Sequence, residues 1–342
     1  KEAAESIAVG YLHSYINPKH ELETREILKH HRPDLDVSIS SEVAPEIREY
    51  ERFSTTVCNA YVQPLMAKYL SRIKAGLEKK DIYSPFLLIT SGGGLTTLET
   101  ARKFPIRLVE SGPAGGAILA SKLSSQLGSN ASLSFDMGGT TAKLCLINAG
   151  EPRLSRQFEV DRSYRFKKGS GLPLKIPVIE MLEIGAGGGS IAHVDKISRI
   201  KVGPESAGSN PGPASYNLGG NDPTVTDADL FQGKMVAENF PFALNIENAK
   251  KAINKHISEK IGIPDIESAL GIAEVVDENM ASAARAHAAE FGLDLGERDL
   301  IAFGGAAPIH AARLGDKLRA RRILIPKNAA VGSALGFLLA AL

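Results

Sequence analysis

The stretch FDMGGTTAK at 135–143 constrains the fold of this chain more than any other. It lies between two apolar runs, SLSFD at 132–136 and AKLCLI at 142–147. The chain is therefore expected to reach Asp136 as a strand, reverse across MGGTT and return as a second strand. A turn this tight predicts positive φ at Gly138 and Gly139. Backbone N–H groups in such a turn can converge on phosphate oxygens, and Thr140 and Thr141 add hydroxyl donors. Asp136, at the base, is placed to hold a hydrated Mg2+ or to orient a water. The competing reading is an ordinary glycine hairpin with a solvated Asp. Other nucleotide signatures are absent. No stretch supplies GxxxxGK[ST], and GAGGGS at 185–190 misses GxGxxG at Ser190.

The second half of the chain alternates strand and helix. DLIAFGG (299–305) reads as a strand, a helix follows from Pro308, RILIP (322–326) is another strand, and a last helix begins after Val331. That order argues for an α/β fold, a sheet layered by helices. A helix over 266–291 carries Ala269, Ala273, Val276, Met280, Ala283 and His287 on one face and closes at Gly292. Between Gly128 and that helix, AKLCLI is followed by a further strand near 153–160. Residues 161–233 are rich in Gly and Pro and show little period, which predicts an irregular, functional or lid-like segment.

Residues 1–84 read as a mostly helical N-terminal portion, and 85–342 as a separate α/β domain. Ala4, Ile7, Ala8, Tyr11, Leu12 and Tyr15 repeat at helical spacing, so the first residues are expected inside an amphipathic helix. A second helix is expected over 22–30, a short strand at DVSIS (36–40), and a long helix over 46–79 with Pro64 as a kink. FLLIT (86–90) and IRLVE (106–110) are expected strands, and SGPAGG (111–116) leads into a helix through Lys122.

The bulk numbers exclude several function classes. With 342 residues the chain is long enough for about two domains. Lys plus Arg total 40 and Asp plus Glu 39, a net charge of +1, so neither a nucleic-acid nor a membrane footprint is expected. The 2 cysteines, Cys58 and Cys145, form no CxxC, so no disulfide framework or structural zinc site is expected. No apolar run reaches the ~18–20 residues that span a bilayer. No signal peptide is visible. A reducing cytoplasm is the simplest setting. The chain starts at Lys1 without Met, and the apolar pattern at Phe337–Leu339 stops abruptly, so both ends are expected to be cut.

Several further loops carry candidate chemistry. In AFGGAAPIHAA (302–312), Gly304 and Gly305 would let a flat ring lie against the backbone, and the helix start beyond them favours anions. A plain strand-to-helix turn is the alternative. His310, inside that helix, reads as structural. SGGGL (91–95) and ESGPAGGA (110–117) fit either an anion site or close helix–strand packing. IGAGGGSIAHVD (184–195) fits either a second backbone cradle or a hinge. In PTVTDAD (223–229), Thr226 and Asp227 are expected as a helix N-cap with Asp229 in the first turn, a metal role being the minor alternative. His30 and His31 end a helix and have no metal spacing.

Taken in order, ITSGGGLTTLETARKFPIRLVESGPAGGA, SFDMGGTTAK, EIGAGGGSIAHVD, VGPESAGSNPGPASY, PTVTDADLFQGKM and AFGGAAPIHAARLG resemble the hydantoinase A / 5-oxoprolinase family. LHSYINPKHE and SISSEVAPEIREYERFSTTVCNAYVQP resemble it too, so the likeness covers nearly the whole chain. The resemblance implies an actin-like (ribonuclease H-like) ATPase lobe, with 85–342 as its hydantoinase A-type domain and 1–84 as part of a truncated first lobe. It implies ATP and Mg2+, ring opening of a small cyclic amide such as 5-oxoproline or N-methylhydantoin, a hydantoinase B-type subunit or domain as companion, and an oligomer. Asp136 would match the catalytic acidic residue near Mg2+ and the γ-phosphate. Gly138, Gly139 and Thr140 would match the second phosphate loop, and Gly304 and Gly305 the adenosine loop. The same resemblance admits an acetone- or acetophenone-carboxylase-type subunit, and the fold also serves non-catalytic nucleotide switches and scaffolds. Two positions depart from the family pattern. Leu182 stands where many members have His, which argues against a metal held by this segment, and Ser215 stands where many have Cys. The family's first phosphate loop, another DxGGT near the N-terminus, is not among these 342 residues. The chain is therefore expected to be the central part of a longer polypeptide and inactive by itself.

Overall fold

The chain around Asp136 builds the middle of a six-stranded mixed sheet. Its main path runs Leu182–Ile184, Ala142–Asn148, Ala131–Met137, Asp299–Phe303, Arg322–Leu324, with Glu151–Pro152 also paired to Ala142–Asn148. The expected hairpin is there: Ala131–Met137 and Ala142–Asn148 pair antiparallel in register from Ala131 with Asn148 to Met137 with Ala142. Asp299–Phe303 then joins the other edge in parallel, which sets Phe303 beside Asp136. This computed structural model describes residues 4–161, 163 and 169–341.

Alternation along the central strand explains the layering. Leu133, Phe135 and Met137 enter one core with Ala269, Ile272, Val276 and Met280 of the helix Asp265–Glu290 and with Ala307, Ala311 and Leu314 of the helix Ala307–Leu318. On the alternate positions Ser132 meets Ser124 of the helix Ser111–Gln126, hydroxyl to hydroxyl at 2.8 Å. At the far end of the sheet the buried Asp299 carboxylate is gripped twice, by Arg321 (Nε to Oδ1 2.9 Å, Nη2 to Oδ2 2.9 Å) and by Arg322 (3.1 and 2.6 Å). The α/β class and the actin-like lobe expected from the sequence are what the fold displays.

The chain divides into two compact units. One comprises 1–115, 154–179 and 339–342, the other 116–153 and 180–338. The first contains the helices Lys19–His31 and Glu49–Glu78, the latter continuous through Pro64. The long helix turns a polar face inward: Arg52, Thr55, Thr56, Asn59 and Gln63 are all buried. Arg52 shows how such a face is tolerated, since its guanidinium donates to Tyr11 O (2.7 Å), Glu46 O (3.1 Å) and Ser40 Oγ (3.1 Å).

Three expectations are corrected. The opening segment is not a helix: Ser6–Val9 is a strand, paired in parallel with Asp36–Ile39, while residues 1–3 lie outside the described residues. Its helical spacing was overridden by a partner thirty residues on and by Gly10, where a Cβ would fall 2.5 Å from Phe53 Cδ1. IRLVE is not a strand either; Pro105–Leu108 form a 3-10 turn, begun by a proline whose fixed φ suits it. Finally, much of 161–233 is regular. Ser190–Val194 and Ile200–Ser206 form an antiparallel hairpin, and Val225–Phe231 is a helix. The strands are short and one pair carries a register shift, so no sustained period marked them. Residues 162 and 164–168 of this stretch lie outside the described residues.

Candidate functional site

Asp136, one residue before the end of its strand, carries a half-buried carboxylate. Oδ2 accepts a hydrogen bond from Ser333 Oγ at 2.8 Å, from the helix Gly332–Phe337. Burial raises the Asp136 pKa above the ordinary carboxylate range, and the Ser333 hydroxyl and the Lys143 charge pull partly against it. Lys143 lies directly across the hairpin from Asp136, with Nζ 3.5 Å from Glu183 Oε1. Parallel pairing with Phe303 brings Gly304 onto the same carboxylate. A Cβ at Gly304 would sit 2.6 Å from Met137 O, and its φ is +98°, so only glycine fits without strain.

The turn itself departs from expectation. Neither Gly138 nor Gly139 has a left-handed φ. Closure comes instead from Gly138 N–H donating to Thr141 O at 3.1 Å, and from a second glycine segment behind the turn. Gly188 N–H donates to Gly138 O at 3.0 Å and Gly189 N–H to Gly139 O at 2.7 Å. The contact is so close that a Cβ at Gly187 would lie 2.6 Å from Gly139 O and 2.7 Å from Thr140 C. IGAGGG, open between cradle and hinge in the sequence, is thus a backbone strut for the 138–140 turn.

On the outer side the turn is open. A Cβ at Gly138, Gly139 or Gly305 would meet no protein atom within 4 Å. Thr140 is exposed and Thr141 half-exposed. Phosphate oxygens can therefore approach the 138–141 backbone and hydroxyls, and a flat ring can approach Gly305. The residues present fit a nucleotide, and Asp136 fits a hydrated Mg2+ beside it. Among the described residues no cluster of three or more His, Cys, Asp or Glu is arranged to hold a metal unaided.

Gly304 and Gly305 are tied into the same place. Gly304 N–H donates to Ala329 O at 2.8 Å, and Ala306 N–H to Met137 O at 2.9 Å. Ala306 precedes the helix Ala307–Leu318, in which His310 is wholly buried. Its Nδ1 is 2.8 Å from Asp277 Oδ1, and its Nε2 is 3.1 Å from Asp229 Oδ2 without the alignment of a hydrogen bond. The N-cap expected at Thr226 and Asp227 is displaced. Thr224 caps Val225–Phe231, and Asp227 returns the bond in a capping box while accepting from Ser215 N at 2.8 Å. The error was one of register, since Thr224 and Thr226 each have an aspartate three residues on, Asp227 and Asp229.

The structure therefore assembles Asp136, Gly138, Gly139, Thr140, Thr141, Gly304 and Gly305 around the joined ends of two strands. Ser333 and Asp277 had no local sequence signal. The strut did, in its run of glycines. Gly116, from the ambiguous SGPAGG, is a packing glycine: a Cβ there would lie 2.5 Å from Phe303 Cε2 and 2.8 Å from Ser333 Oγ. Among the described residues no helix is long and apolar enough to cross a membrane.

Comparison with known proteins gives a match to the hydantoinase/oxoprolinase family over residues 52–342. An uncharacterized protein of Methanocaldococcus jannaschii is 41% identical over 99% of the chain and 51% of its own length. Caprolactamase subunit alpha of Pseudomonas jessenii is 36% identical over 99% of the chain and 48% of its own. The crystal structure of the ATP-dependent caprolactamase from that organism superposes with a TM-score of 0.80 at 34% identity, over 98% of this chain and 48% of that one. The nucleotide-free structure of acetone carboxylase, from work on ATP-dependent acetone carboxylation, superposes with a TM-score of 0.82 at 27% identity, over 99% and 47%. The chain thus spans about half the length of these relatives.

Proposed function

The chain belongs to the hydantoinase/oxoprolinase family, and we propose that it carries the ATP-binding lobe of an enzyme that phosphorylates the carbonyl oxygen of a cyclic amide for ring-opening hydrolysis. One observation carries the reading: the half-buried Asp136 carboxylate lies at a strand end with open glycine backbone at 138–139 and at 305. The 138–141 backbone and hydroxyls hold the phosphates, and Gly304–Gly305 carry the adenosine. Asp136 is the carboxylate that would hold Mg2+, which would supply charge screening of the phosphates when bound. Within the proposed domain 85–342 the site residues all fall in the compact unit 116–153 and 180–338, and 1–84 belong with the partner lobe.

The chemistry explains the use of ATP. A resonance-stabilised amide is a poor electrophile. Attack of its carbonyl oxygen on the γ-phosphorus forms a new O–P bond, releases ADP, and loses the amide proton, leaving an imidate phosphate. Water adds to that carbon, the C–N bond breaks as the nitrogen takes up a proton so that the ring opens to an acyl phosphate, and a second water releases phosphate and leaves the carboxylate. The role of this lobe is to position and to stabilise charge on the phosphoryl group. A hydantoinase B-type companion completes the hydrolysis, in keeping with the name of the alpha subunit matched in Pseudomonas jessenii. The reducing cytoplasm remains the setting proposed.

The acetone carboxylase match favours a second reading, in which the phosphorylated oxygen belongs to an enolate. ATP hydrolysis by the intact assembly separates the two. Stimulation by a cyclic amide with ring opening means amidase; stimulation that requires bicarbonate means carboxylase; neither means a nucleotide switch. Asp136→Asn should cut turnover by at least ~10²-fold with the fold intact, the scale lost with one key electrostatic group. Near-normal turnover would sink the site.

A further inference from the structure

A closed ring of contacts surrounds the 138–139 turn. Gly138 O accepts from Gly188 N–H, and Gly188 O accepts from Thr226 N–H at 2.7 Å. Thr226 lies in the helix Val225–Phe231, whose Asp229 faces His310. His310 lies one turn into the helix that follows Ala306, and Ala306 N–H returns to Met137 O, between Asp136 and Gly138. Backbone hydrogen bonds and short lengths of helix make every link but one. The exception is the side-chain contact of Asp229 with His310.

We propose that His310 is a positioning residue: gripped by Asp229 and Asp277, it keeps the Gly304–Gly305 loop and the Gly187–Gly189 strut in one register about the phosphate turn. The proposal rests on the nucleotide reading of that turn.

The chemistry of the cluster is not that of an ordinary core histidine. Neutral imidazole offers one donor and one acceptor, yet both ring nitrogens here face carboxylates. Nδ1 is hydrogen-bonded to Asp277 and Nε2 lies within ion-pair distance of Asp229, an arrangement that favours the doubly protonated ring. The His310 ring is 0% exposed and the two carboxylates 2%. Lys234 Nζ stands 3.6 Å from Asp229 Oδ1, so two cations answer two anions. Burial alone would lower the His310 pKa; the two carboxylates more than offset that and push it to about 9. Buried ionic clusters cost more to desolvate than an apolar filler of equal size, so packing alone does not account for this one. What charge adds is a grip that resists sliding between helices.

His310→Gln and Asp229→Asn in the intact enzyme test it, by amide hydrogen exchange of peptides covering 137–141 and by steady-state kinetics. The expected result is exchange in 137–141 about tenfold faster, with KM for ATP raised about tenfold and kcat changed less. Unchanged 137–141 exchange and unchanged KM, with only a lower melting temperature, would make His310 a packing residue and overturn the proposal. Should neither variant fold, the parent enzyme serves. KM for ATP should stay level from pH 7 to 8 and climb as pH passes about 9, where the imidazolium is lost, with 137–141 exchange, corrected for base catalysis, rising in step. Level values to pH 10 overturn it. An Asp136→Asn enzyme that keeps full turnover would instead remove the nucleotide reading, whatever the exchange data show.

Discussion

Gly304 lies hard against the carboxylate of Asp136: a Cβ on it would fall 2.5 Å from Oδ1. Gly305, the next residue, has open space in the same test. Two adjacent glycines therefore answer to different constraints, one to the protein and one to whatever approaches from outside.

Their substitutions should separate accordingly. Gly304→Ala forces a Cβ onto a half-buried carboxylate at φ +98°, and should cost roughly 1–3 kcal/mol of stability together with ATP turnover. Gly305→Val should leave the melting temperature near that of the parent while weakening ATP binding about tenfold or more, equivalent to about 1.4 kcal/mol. Early melting of the Gly305 variant would mark it as a packing glycine after all.

The hydroxyl of Ser333 favours the ionised form of Asp136, and burial opposes it. Ser333→Ala removes the favourable contact and keeps the burial, so the Asp136 pKa should rise further. The acid limb of the pH profile of ATP hydrolysis should move to higher pH, with the alkaline plateau little changed. A limb that stays put would mean that another group controls it.

Gly187 touches the turn through backbone alone, at 2.6 Å from a Cβ position to Gly139 O. Gly187→Ala should therefore displace the turn, costing about 1–3 kcal/mol by overpacking and raising KM for ATP. Gly138→Ala should spare stability and raise KM. Equal melting temperatures for the two variants would contradict the strut.

Asp299 supplies a pH test of the fold apart from the site. Burial alone would raise its pKa, but the hydrogen bonds and charges of Arg322 and Arg321 hold it far below the usual range. A depressed carboxylate stabilises fully above its unfolded pKa of ~3.9 and loses that contribution as pH falls through the folded value. Asp299→Asn should cost about 2 kcal/mol at pH 7, the scale of hydrogen bonds to charged groups. The gap between parent and variant should close in strong acid, as followed by urea unfolding at pH 7 and pH 2.

The hairpin and the helix Asp265–Glu290 were legible because their patterns are local: two apolar runs about a glycine turn, and one apolar face of helical period. Misreadings came where distance decided. Ser6–Val9 carries helical spacing but follows its parallel partner, and the register of 190–206 with its bulge left no period to find. Ser333 reaches Asp136 across 197 positions, so nothing near either residue announces the other. Gly304 and Gly305 stand together in the sequence, and only the register of Asp299–Phe303 on Ala131–Met137 tells them apart.

The strut has a consequence for how such proteins diverge. Gly188 and Gly189 meet Gly138 and Gly139 through amide and carbonyl groups alone. Neither segment reads the other's side chains, so a change on one side calls for no compensating change on the other. Methods that infer proximity from correlated substitutions will be blind to this pair. An insertion in either glycine cluster would break the backbone pairing between them, since each contact depends on the register of the two segments.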